Sequence, residues 1–271
     1  RCHPAHFFGE AMPPALDIRA LVLDMDGVLW HDTQPIGNLP AVFDKIRARG
    51  LKLVLATNNA VKTIAAFQAK LAGMGVAVEP DEIINSAMAT AHLLRQRFPD
   101  GGPVYIIGED GIRTALLNAG FYEAEDNVRA VVAGLDRQFS FNKLYTATRL
   151  IRQGAPFYGT NPDRTFPTPQ GLTPGAGSIL AAIEAASETT PIIAGKPSPT
   201  LFEVALERLG TAPEYTLAVG DRLETDILGG QRAGCRTALV LSGVTTRNQG
   251  EAWTPRPDLI ANDLTEVVEM L

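Results

Sequence analysis

The sequence contains little cysteine and no long apolar run, and these absences exclude several classes of protein. Its 271 residues include two cysteines, Cys2 and Cys235, which lie near opposite ends of the chain. This spacing fits neither a disulfide framework nor a thiolate metal site, whereas a reducing compartment suits it. No stretch approaches the roughly 18 consecutive apolar residues of a membrane-spanning helix, and residues 1–15 contain no apolar core of a secretory signal. We therefore expect a cytoplasmic protein.

Positive charge is also scarce. The chain has 24 Lys and Arg residues against 30 Asp and Glu residues, which gives a formal net charge of −6. Such a chain repels a nucleic-acid backbone, and no run of basic residues offsets the repulsion. Nucleic acid is therefore a poor candidate for the ligand.

Apolar strand-like runs alternate with helical stretches along the chain, a pattern that builds a parallel sheet covered by helices on both faces. We therefore predict an α/β protein. Four of the runs are followed directly by polar loops: ALVLDMDG, LKLVLATNN, PIIAGK and TLAVGD. Because ligands bind beyond the carboxyl ends of the strands in open parallel sheets, these four loops should converge on one cleft.

A long insertion, roughly residues 86–190, separates the second run from the third and carries strand and helix signals of its own. Hydrophobic residues make up 45% of the chain, enough for two unequal domains. We predict a discontinuous catalytic core of residues 12–85 and 191–271 and a second α/β domain of residues 86–190. Residues 1–11 differ from the rest, and we interpret them as an added or disordered leader.

The loop after the first run contains Asp24 and Asp26, and the turn at Gly27 would let both carboxylates face the cleft. One carboxylate can then attack a substrate while the other transfers protons. The Asp-x-Asp pattern alone is also typical of metal-binding loops and ordinary turns. The roles of the two residues therefore depend on the other loops.

The second and third loops offer groups that suit a phosphate. Thr57, Asn58 and Asn59 provide a hydroxyl, amides and backbone N–H groups just before a helix that begins near Thr63, although helix capping is an alternative. Lys196 follows the third strand, where its long cationic side chain can reach into the cleft, although such a lysine is often a solvated surface group.

The fourth loop adds Asp221 and Asp226, the latter at the start of a helix, where an acidic residue is common. Together with the first loop, it would bring four carboxylates into one cleft. Like charges about 4 Å apart repel by roughly 4 kcal/mol per pair at an effective dielectric constant near 20. A hard dication would relieve this repulsion, and oxygen-only ligands suit Mg²⁺.

In this order, the segments DMDGVL, TNN, GKP and GDRLETDI resemble the four signature motifs of the haloacid dehalogenase superfamily, over nearly the whole chain. The insertion, with GLDRQFSFNKL and NPDRTFPTPQGLTPGAGS, is similar to the α/β cap of NagD-like subfamily IIA. That subfamily includes pyridoxal phosphate phosphatase (chronophin) and phosphoglycolate phosphatase. The resemblance implies a Rossmann-like catalytic core with an inserted α/β cap domain.

The resemblance also implies a mechanism, in which a small phosphorylated metabolite is hydrolysed through an aspartyl phosphate. Asp24 would attack phosphorus in line, and Asp26 would protonate the leaving oxygen and later activate water. The implied phosphate-binding residues are Thr57 and Lys196, with Asn58 and Asn59 shaping the loop. The implied Mg²⁺ ligands are Asp24, the backbone carbonyl of Asp26, and Asp221, with Asp226 as an anchor behind them.

Other functions are compatible with parts of this pattern. A dehalogenase would need neither Asp26 nor Asp221, and a transport ATPase would need membrane helices. A phosphomutase would keep all four motifs and is disfavoured by the cap resemblance alone. A non-catalytic sensor of phosphorylated metabolites would have no use for both Asp24 and Asp26.

The substrate is expected to be set by the cap, mainly by residues 161–168. Relatives that act on pyridoxal phosphate carry a histidine where Phe166 aligns, and an aromatic residue favours stacking or apolar contact. Sugar phosphates, nucleotides and phosphoglycolate remain open, as does a purely local packing role for Phe166. A homodimer formed through the cap is among the assemblies that we expect.

Overall fold

The computed structural model describes residues 16–168 and 171–271. The proposed leader, the first residues of the proposed core (12–15) and Cys2 lie outside the described residues. Within the two described ranges, no helix is long and apolar enough to cross a membrane.

The described residues form fifteen strands and ten α-helices. The strands are β1 (Ala20–Leu23), β2 (Trp30–His31), β3 (Gln34–Pro35), β4 (Lys52–Thr57), β5 (Ile83–Asn85), β6 (Gly102–Ile107), β7 (Phe121–Glu123), β8 (Ala130–Ala133), β9 (Phe157–Gly159), β10 (Thr165–Thr168), β11 (Gly171–Pro174), β12 (Ile192–Ile193), β13 (Thr216–Gly220), β14 (Arg236–Val240) and β15 (Leu259–Ala261). The α-helices are α1 (Leu39–Ala48), α2 (Ile64–Gly73), α3 (Ser86–Arg97), α4 (Asp110–Asn118), α5 (Phe141–Arg152), α6 (Ala176–Ser187), α7 (Thr200–Leu209), α8 (Leu228–Arg232), α9 (Arg247–Ala252) and α10 (Leu264–Met270). A π-helical turn, Leu223–Ile227, leads into α8.

The first sheet has six parallel strands in the order β15-β14-β13-β1-β4-β5. All four residues of β1 are buried, because helices cover both faces of the sheet. Leu21 and Leu23 pack into a cluster with α1, α2 and α10, whereas Ala20 and Val22 pack on the opposite side with α7. This alternation follows from the two-residue repeat of a strand.

The second sheet has five parallel strands in the order β12-β9-β8-β6-β7. One of its faces packs against α3 and α4 around Leu94 and Leu116, and the other against α5 and α6 around Leu150 and Ile183. The insertion therefore builds an α/β layer structure with its own core. The predicted α/β fold class is confirmed.

The strand in PIIAGK lies in a different place from the one that the sequence predicts. It is not a strand of the first sheet: β12 pairs with β9 at the edge of the second sheet. Ile192 is exposed, and the strand has only two residues. A short apolar run indicates that a strand forms, but it does not indicate which sheet the strand joins. The loop that contains Lys196 therefore follows a strand of the second sheet.

The segment around Phe166, which contains prolines on both sides of the hairpin, forms regular structure. Residues Thr165–Thr168 pair antiparallel with Gly171–Pro174, so that Phe166 faces Thr173 across a two-stranded hairpin. Prolines normally argue against a strand because they cannot donate to a ladder. A two-stranded hairpin consists of edges alone, and an edge tolerates proline.

Candidate active site

Three neighbouring strands of the first sheet bring the predicted residues together. Asp24 follows β1, Thr57 ends β4, and Asp221 follows β13, and β1 lies between the other two strands. Their carboxyl ends therefore meet at one edge of the sheet. This edge forms one side of a cleft of about 720 Å³, and residues of the insertion form the other side.

The DMDG loop presents its two carboxylates differently. Asp24 is buried, and its backbone N–H donates to the carbonyl of Val219 on the neighbouring strand at 2.9 Å. Asp26 is exposed to the cleft, because the loop turns at Gly27, whose φ is +85°. A Cβ atom at Gly27 would lie 2.6 Å from the Asp221 carboxylate, so the turn and the close approach both require glycine.

Lys196 is the buried cation of the site. Its Nζ donates to Asp24 Oδ1 at 2.7 Å, to the carbonyl of Ala56 at 2.8 Å and to Asp226 Oδ1 at 2.9 Å. Burial by itself lowers the pKa of Lys196, but the charges of Asp226 and Asp24 and their hydrogen bonds outweigh it and raise the pKa. The surface-lysine alternative is therefore wrong, and Lys196 stays protonated.

Two carboxylates of the site, Asp24 and Asp221, resist ionisation. Burial raises the pKa of Asp24 well above its usual value, and the charges of Asp226 and Asp221 add to burial, whereas Lys196 acts in the opposite direction. Burial, followed by the charge of Asp226, raises the pKa of Asp221 to about 6. One lysine does not compensate three acids, so a further cation would stabilise their charged forms.

The donor set fits a hard dication. Carboxylate oxygens of Asp24, Asp221 and Asp226 lie within 4.8 Å of one another. Asp221 Oδ2 accepts from the backbone of Val244, but Asp221 Oδ1 is buried and has no hydrogen-bond partner among the described residues. An unpaired buried oxygen is costly, and a metal ion would satisfy it. The oxygen-only set suits Mg²⁺.

Asp226 holds the site from behind. Its Oδ1 accepts from Lys196, and its Oδ2 accepts from the backbone N–H of Arg222 at 3.0 Å. Both oxygens are therefore engaged by the protein. This arrangement suits the predicted anchoring role better than direct contact with a metal ion.

The Thr57-Asn58-Asn59 loop is organised by its own side chains. The Thr57 hydroxyl accepts from the backbone of Asn59 at 3.1 Å, and Asn59 Oδ1 accepts from the backbone of Val61 at 3.0 Å. Helix α2 is capped instead by Thr63, whose hydroxyl accepts from the backbone N–H of Ala66. The capping alternative for the loop is therefore wrong.

Asn58 joins the loop to the insertion. Its Oδ1 accepts from the backbone N–H of Lys196 at 2.8 Å, and its Nδ2 donates to Asp163 Oδ2 at 3.2 Å. Its carbonyl accepts from Ser86 at 2.6 Å and from Asn161 at 2.8 Å. The side chain and carbonyl of Asn58 are therefore engaged in contacts with Lys196 and the insertion. The backbone N–H group of Asn58 remains for a phosphate.

Several groups at the cleft received no individual role from the sequence, although Asp163 lies in the segment 161–168 that was expected to set specificity. Trp30 donates from its indole to Asp26, and the ammonium group of Lys70 lies over the Trp30 ring. From the insertion, Arg137 and Asp163 line the cleft together with half-buried Phe166. The position of Asp163 shortly after β9 was an available signal, since polar residues at the carboxyl ends of parallel strands gather at one edge.

Comparison with known proteins agrees with this geometry. The family model for haloacid dehalogenase-like hydrolases matches residues 21–122, and the HAD-hydrolase-like model matches residues 193–267. A dihydroxyacetone phosphatase from Corynebacterium glutamicum is 36% identical over 91% of this chain and 89% of its own length. An acid sugar phosphatase from Staphylococcus aureus is 35% identical over 93% of this chain and 98% of its own length.

Solved structures show the same likeness. NagD from Escherichia coli K-12 superposes with a TM-score of 0.86 at 35% identity, covering 92% of this chain and 98% of NagD. A Mycobacterium tuberculosis glycerol phosphate phosphatase in complex with magnesium superposes with a TM-score of 0.85 at 34% identity, covering 92% and 76% of the two chains. The predicted resemblance is confirmed, and the chain belongs to the haloacid dehalogenase-like hydrolases, within their NagD-like phosphatases.

Proposed function

We propose that this protein is a magnesium-dependent phosphatase that hydrolyses the phosphomonoester of a small metabolite through an aspartyl phosphate on Asp24. The observation that carries the proposal is the pairing of two carboxylates with different surroundings in one loop. Asp24 is buried and hydrogen-bonded to a charged lysine, whereas Asp26 is exposed to the cleft. The setting of Asp24 suits a fixed nucleophile, and the setting of Asp26 suits a group that exchanges protons.

In the first half-reaction, Asp24 forms a bond to phosphorus as the bond from phosphorus to the leaving oxygen breaks. The hydrogen bond from Lys196 to Oδ1 fixes the Asp24 carboxylate, and Oδ2 remains to attack. Asp26 gives its proton to the leaving oxygen, so the alcohol departs neutral. The phosphoryl group is left on Asp24 as an acyl phosphate.

In the second half-reaction, water replaces the alcohol. Asp26, now a carboxylate, takes a proton from the water molecule that attacks phosphorus, and the bond between phosphorus and Asp24 breaks. Inorganic phosphate leaves, and Asp26 is protonated again. One residue thus serves first as acid and then as base, with no net change in the enzyme.

The transferring phosphoryl group would be held by Lys196, the Thr57 hydroxyl and the backbone N–H group of Asn58, with Asn59 shaping the loop through its bond to Thr57. Asp24, Asp221 and the backbone carbonyl of Asp26 would hold Mg²⁺, with Asp226 behind them. Mg²⁺ supplies charge neutralisation and orientation when it is bound. The orphaned Asp221 Oδ1 supports this assignment.

For the substrate, we favour small phosphorylated sugars or polyols. The support comes from relatives named for acid sugars, dihydroxyacetone and glycerol phosphate, and from the polar side chain of Asp163 on the insertion side of the cleft. Hydroxyl-rich leaving groups can use such a hydrogen-bond partner. In this scheme, residues 12–85 and 191–271 form the catalytic core and residues 86–190 the cap, except that β12 pairs with the sheet of the cap.

The test is a screen of phosphorylated metabolites for release of inorganic phosphate in the presence of Mg²⁺. Sugar and polyol phosphates, nucleotides and phosphoglycolate should be compared at equal concentration. Rapid acid quenching during turnover, followed by mass spectrometry, should find the phosphoryl group on the peptide that contains Asp24. Turnover without any phosphorylated peptide, or phosphorylation elsewhere, would reject the mechanism.

A further inference from the structure

We propose that Trp30 is a positioning residue for the acid–base step. Its indole N–H donates to Asp26 Oδ1 at 2.7 Å. This hydrogen bond orients the carboxyl group and leaves Oδ2 to exchange the proton with the leaving group and with water. The inference rests on the proposed role of Asp26.

The chain between the two residues folds so that the donor is fixed. The backbone N–H of Gly27 donates to the carbonyl of Trp30 at 2.8 Å, and residues 26 and 30 form an isolated bridge. Trp30 is 1% exposed and packs in the core cluster that contains Met25 and Leu29. An immobile, buried ring therefore holds one oxygen of an exposed carboxylate.

Fixing the Asp26 carboxyl group matters because a general acid acts only within hydrogen-bond reach of the atom that it protonates. An exposed aspartate otherwise samples several rotamers, of which few are productive. The distance of 2.7 Å lies at the short end for an N–H group that donates to a carboxylate. The indole N–H is a donor only, so the transferable proton of Asp26 belongs on the other oxygen.

Lys70 holds the ring from its outer side. Its ammonium group lies 3.8 Å from the centre of the Trp30 ring, which is within cation–π range. Lys70 is half-buried and comes from α2, the helix that follows the Thr57 loop. The ring is thus fixed both by the core beneath it and by a cation above it.

The experiment compares Trp30→Phe with the wild-type enzyme on a series of phosphate esters. Phenylalanine keeps an aromatic ring beneath Lys70 but removes the N–H group. We expect kcat/KM for alkyl phosphates to fall by about 10- to 100-fold, the scale of one hydrogen bond to a charged group. Aryl phosphates should lose less than about threefold, because a good leaving group needs little protonation.

A double-mutant cycle shows whether Trp30 acts through Asp26. In an Asp26→Ala background, Trp30→Phe should have no further effect on any substrate, since the group that it orients is gone. A purely structural role for Trp30 would lower kcat/KM equally for all leaving groups and would add to the loss from Asp26→Ala. Either of these results would overturn the proposal.

Trp253→Phe is the matched control. The indole of Trp253 donates to Gln231 at 3.3 Å and does not line the cleft. The same substitution therefore removes the same kind of donor elsewhere, and kcat/KM should stay within about twofold for every leaving group.

A spectroscopic measurement keeps the proposal testable even if Trp30→Phe does not fold. The chain has two tryptophans, so ¹⁵N-labelled indole groups give two side-chain N–H signals, which Trp253→Phe assigns. In Asp26→Ala, the Trp30 signal should move upfield and lose its protection from exchange, whereas the Trp253 signal should stay. An unchanged Trp30 signal would contradict the hydrogen bond.

The outcomes also separate this inference from the function on which it rests. If Asp26→Ala does not reduce turnover of alkyl phosphates, the proposed acid is wrong. If Asp26→Ala reduces it and Trp30→Phe leaves it unchanged, the acid stands and the positioning role of Trp30 fails.

Discussion

The two sides of the cleft hold their functional groups in different ways. On the core side, the Lys196 ammonium group has three acceptors at 2.7, 2.8 and 2.9 Å, and the three acids around it are buried or nearly so. On the cap side, half-buried Phe166 lies on a two-stranded hairpin whose Leu172 is 74% exposed. In the proposed function, the chemistry depends on the first side, and discrimination between substrates depends on the second.

The physical reason for the difference is the coupling of charges. The charge of Asp226 raises the pKa of both Asp24 and Asp221, and the charge of Lys196 lowers both, so a change in one of these groups disturbs the others. The hairpin has no such coupling, and a change there alters local contacts alone. A family with one chemistry and many substrates would vary the second side and keep the first.

The largest expected effect comes from Asp24→Asn on the core side. An amide cannot form an acyl phosphate, so turnover should fall by at least about 10⁴-fold, the scale of losing a covalent nucleophile. The circular dichroism spectrum should stay unchanged, and substrate binding should persist. Residual activity above a few per cent of wild type, on any substrate, would show that another group is the nucleophile.

Removal of the metal should have a comparable effect on activity. Activity should vanish in excess chelator, return with Mg²⁺ and be inhibited by Ca²⁺, whose larger and looser coordination disturbs the in-line geometry. Binding of Mg²⁺ should also raise the Tm by mass action. That rise should disappear in Asp221→Asn and persist in Asp126→Asn, which removes an exposed carboxylate outside the cleft. Full activity in excess chelator would contradict the metal assignment.

A smaller and more selective effect is expected for Asp26→Ala. The rate should fall by about 10² to 10⁴-fold for alkyl phosphates, the usual range for a positioned acid and base. The loss in kcat/KM should be smaller for aryl phosphates, which leave without a proton. Measurement of kcat/KM for both classes on the same enzyme preparation provides the internal control, and an equal loss for both would exclude Asp26 as the acid.

Much of the core side could be predicted from the sequence, because its signals are local. A buried strand followed at once by a polar loop defines Asp24, Thr57 and Asp221, and neighbouring parallel strands bring such loops together. The repulsion among the acids was also foreseeable, since it follows from their number. In the structure, the same excess of acids is reflected in Asp221 Oδ1, which is buried without a hydrogen-bond partner among the described residues.

The remaining features depend on contacts between distant segments. The pairing of β12 with β9, rather than with the first sheet, is decided by backbone partners 34 residues apart in the register Ile192 with Tyr158. The hairpin that contains Phe166 is stabilised by backbone pairing, and its prolines make that pairing hard to predict from the sequence. Asn58 contacts Asp163 across 105 positions of sequence, and nothing in the local pattern indicates that contact.

The smallest effect that we predict concerns Phe166, and it tests the cap side of the comparison. Phe166→Ala or Phe166→His should leave phosphoryl transfer intact, since the proposed catalytic and metal-binding groups belong to the other side of the cleft. If the ring contacts the leaving group, specificity among metabolites should be redistributed by roughly 1 to 3 kcal/mol, the scale of one pocket contact. Small generic substrates that do not reach the cap should be little affected.

The matched control for Phe166 is Phe141→Ala, which removes an aromatic ring from the cap helix α5, where Phe141 is 79% exposed and does not line the cleft. That variant should leave the ratios of kcat/KM among substrates unchanged. Steady-state kinetics on several metabolites, together with the Tm of each variant, separates the two roles of Phe166. A change in ratios at constant Tm places the ring against the substrate. A uniform loss with a lower Tm would instead show that Phe166 packs within the hairpin, and specificity would then be sought at Arg137 and Asp163, two charged cap groups that line the cleft.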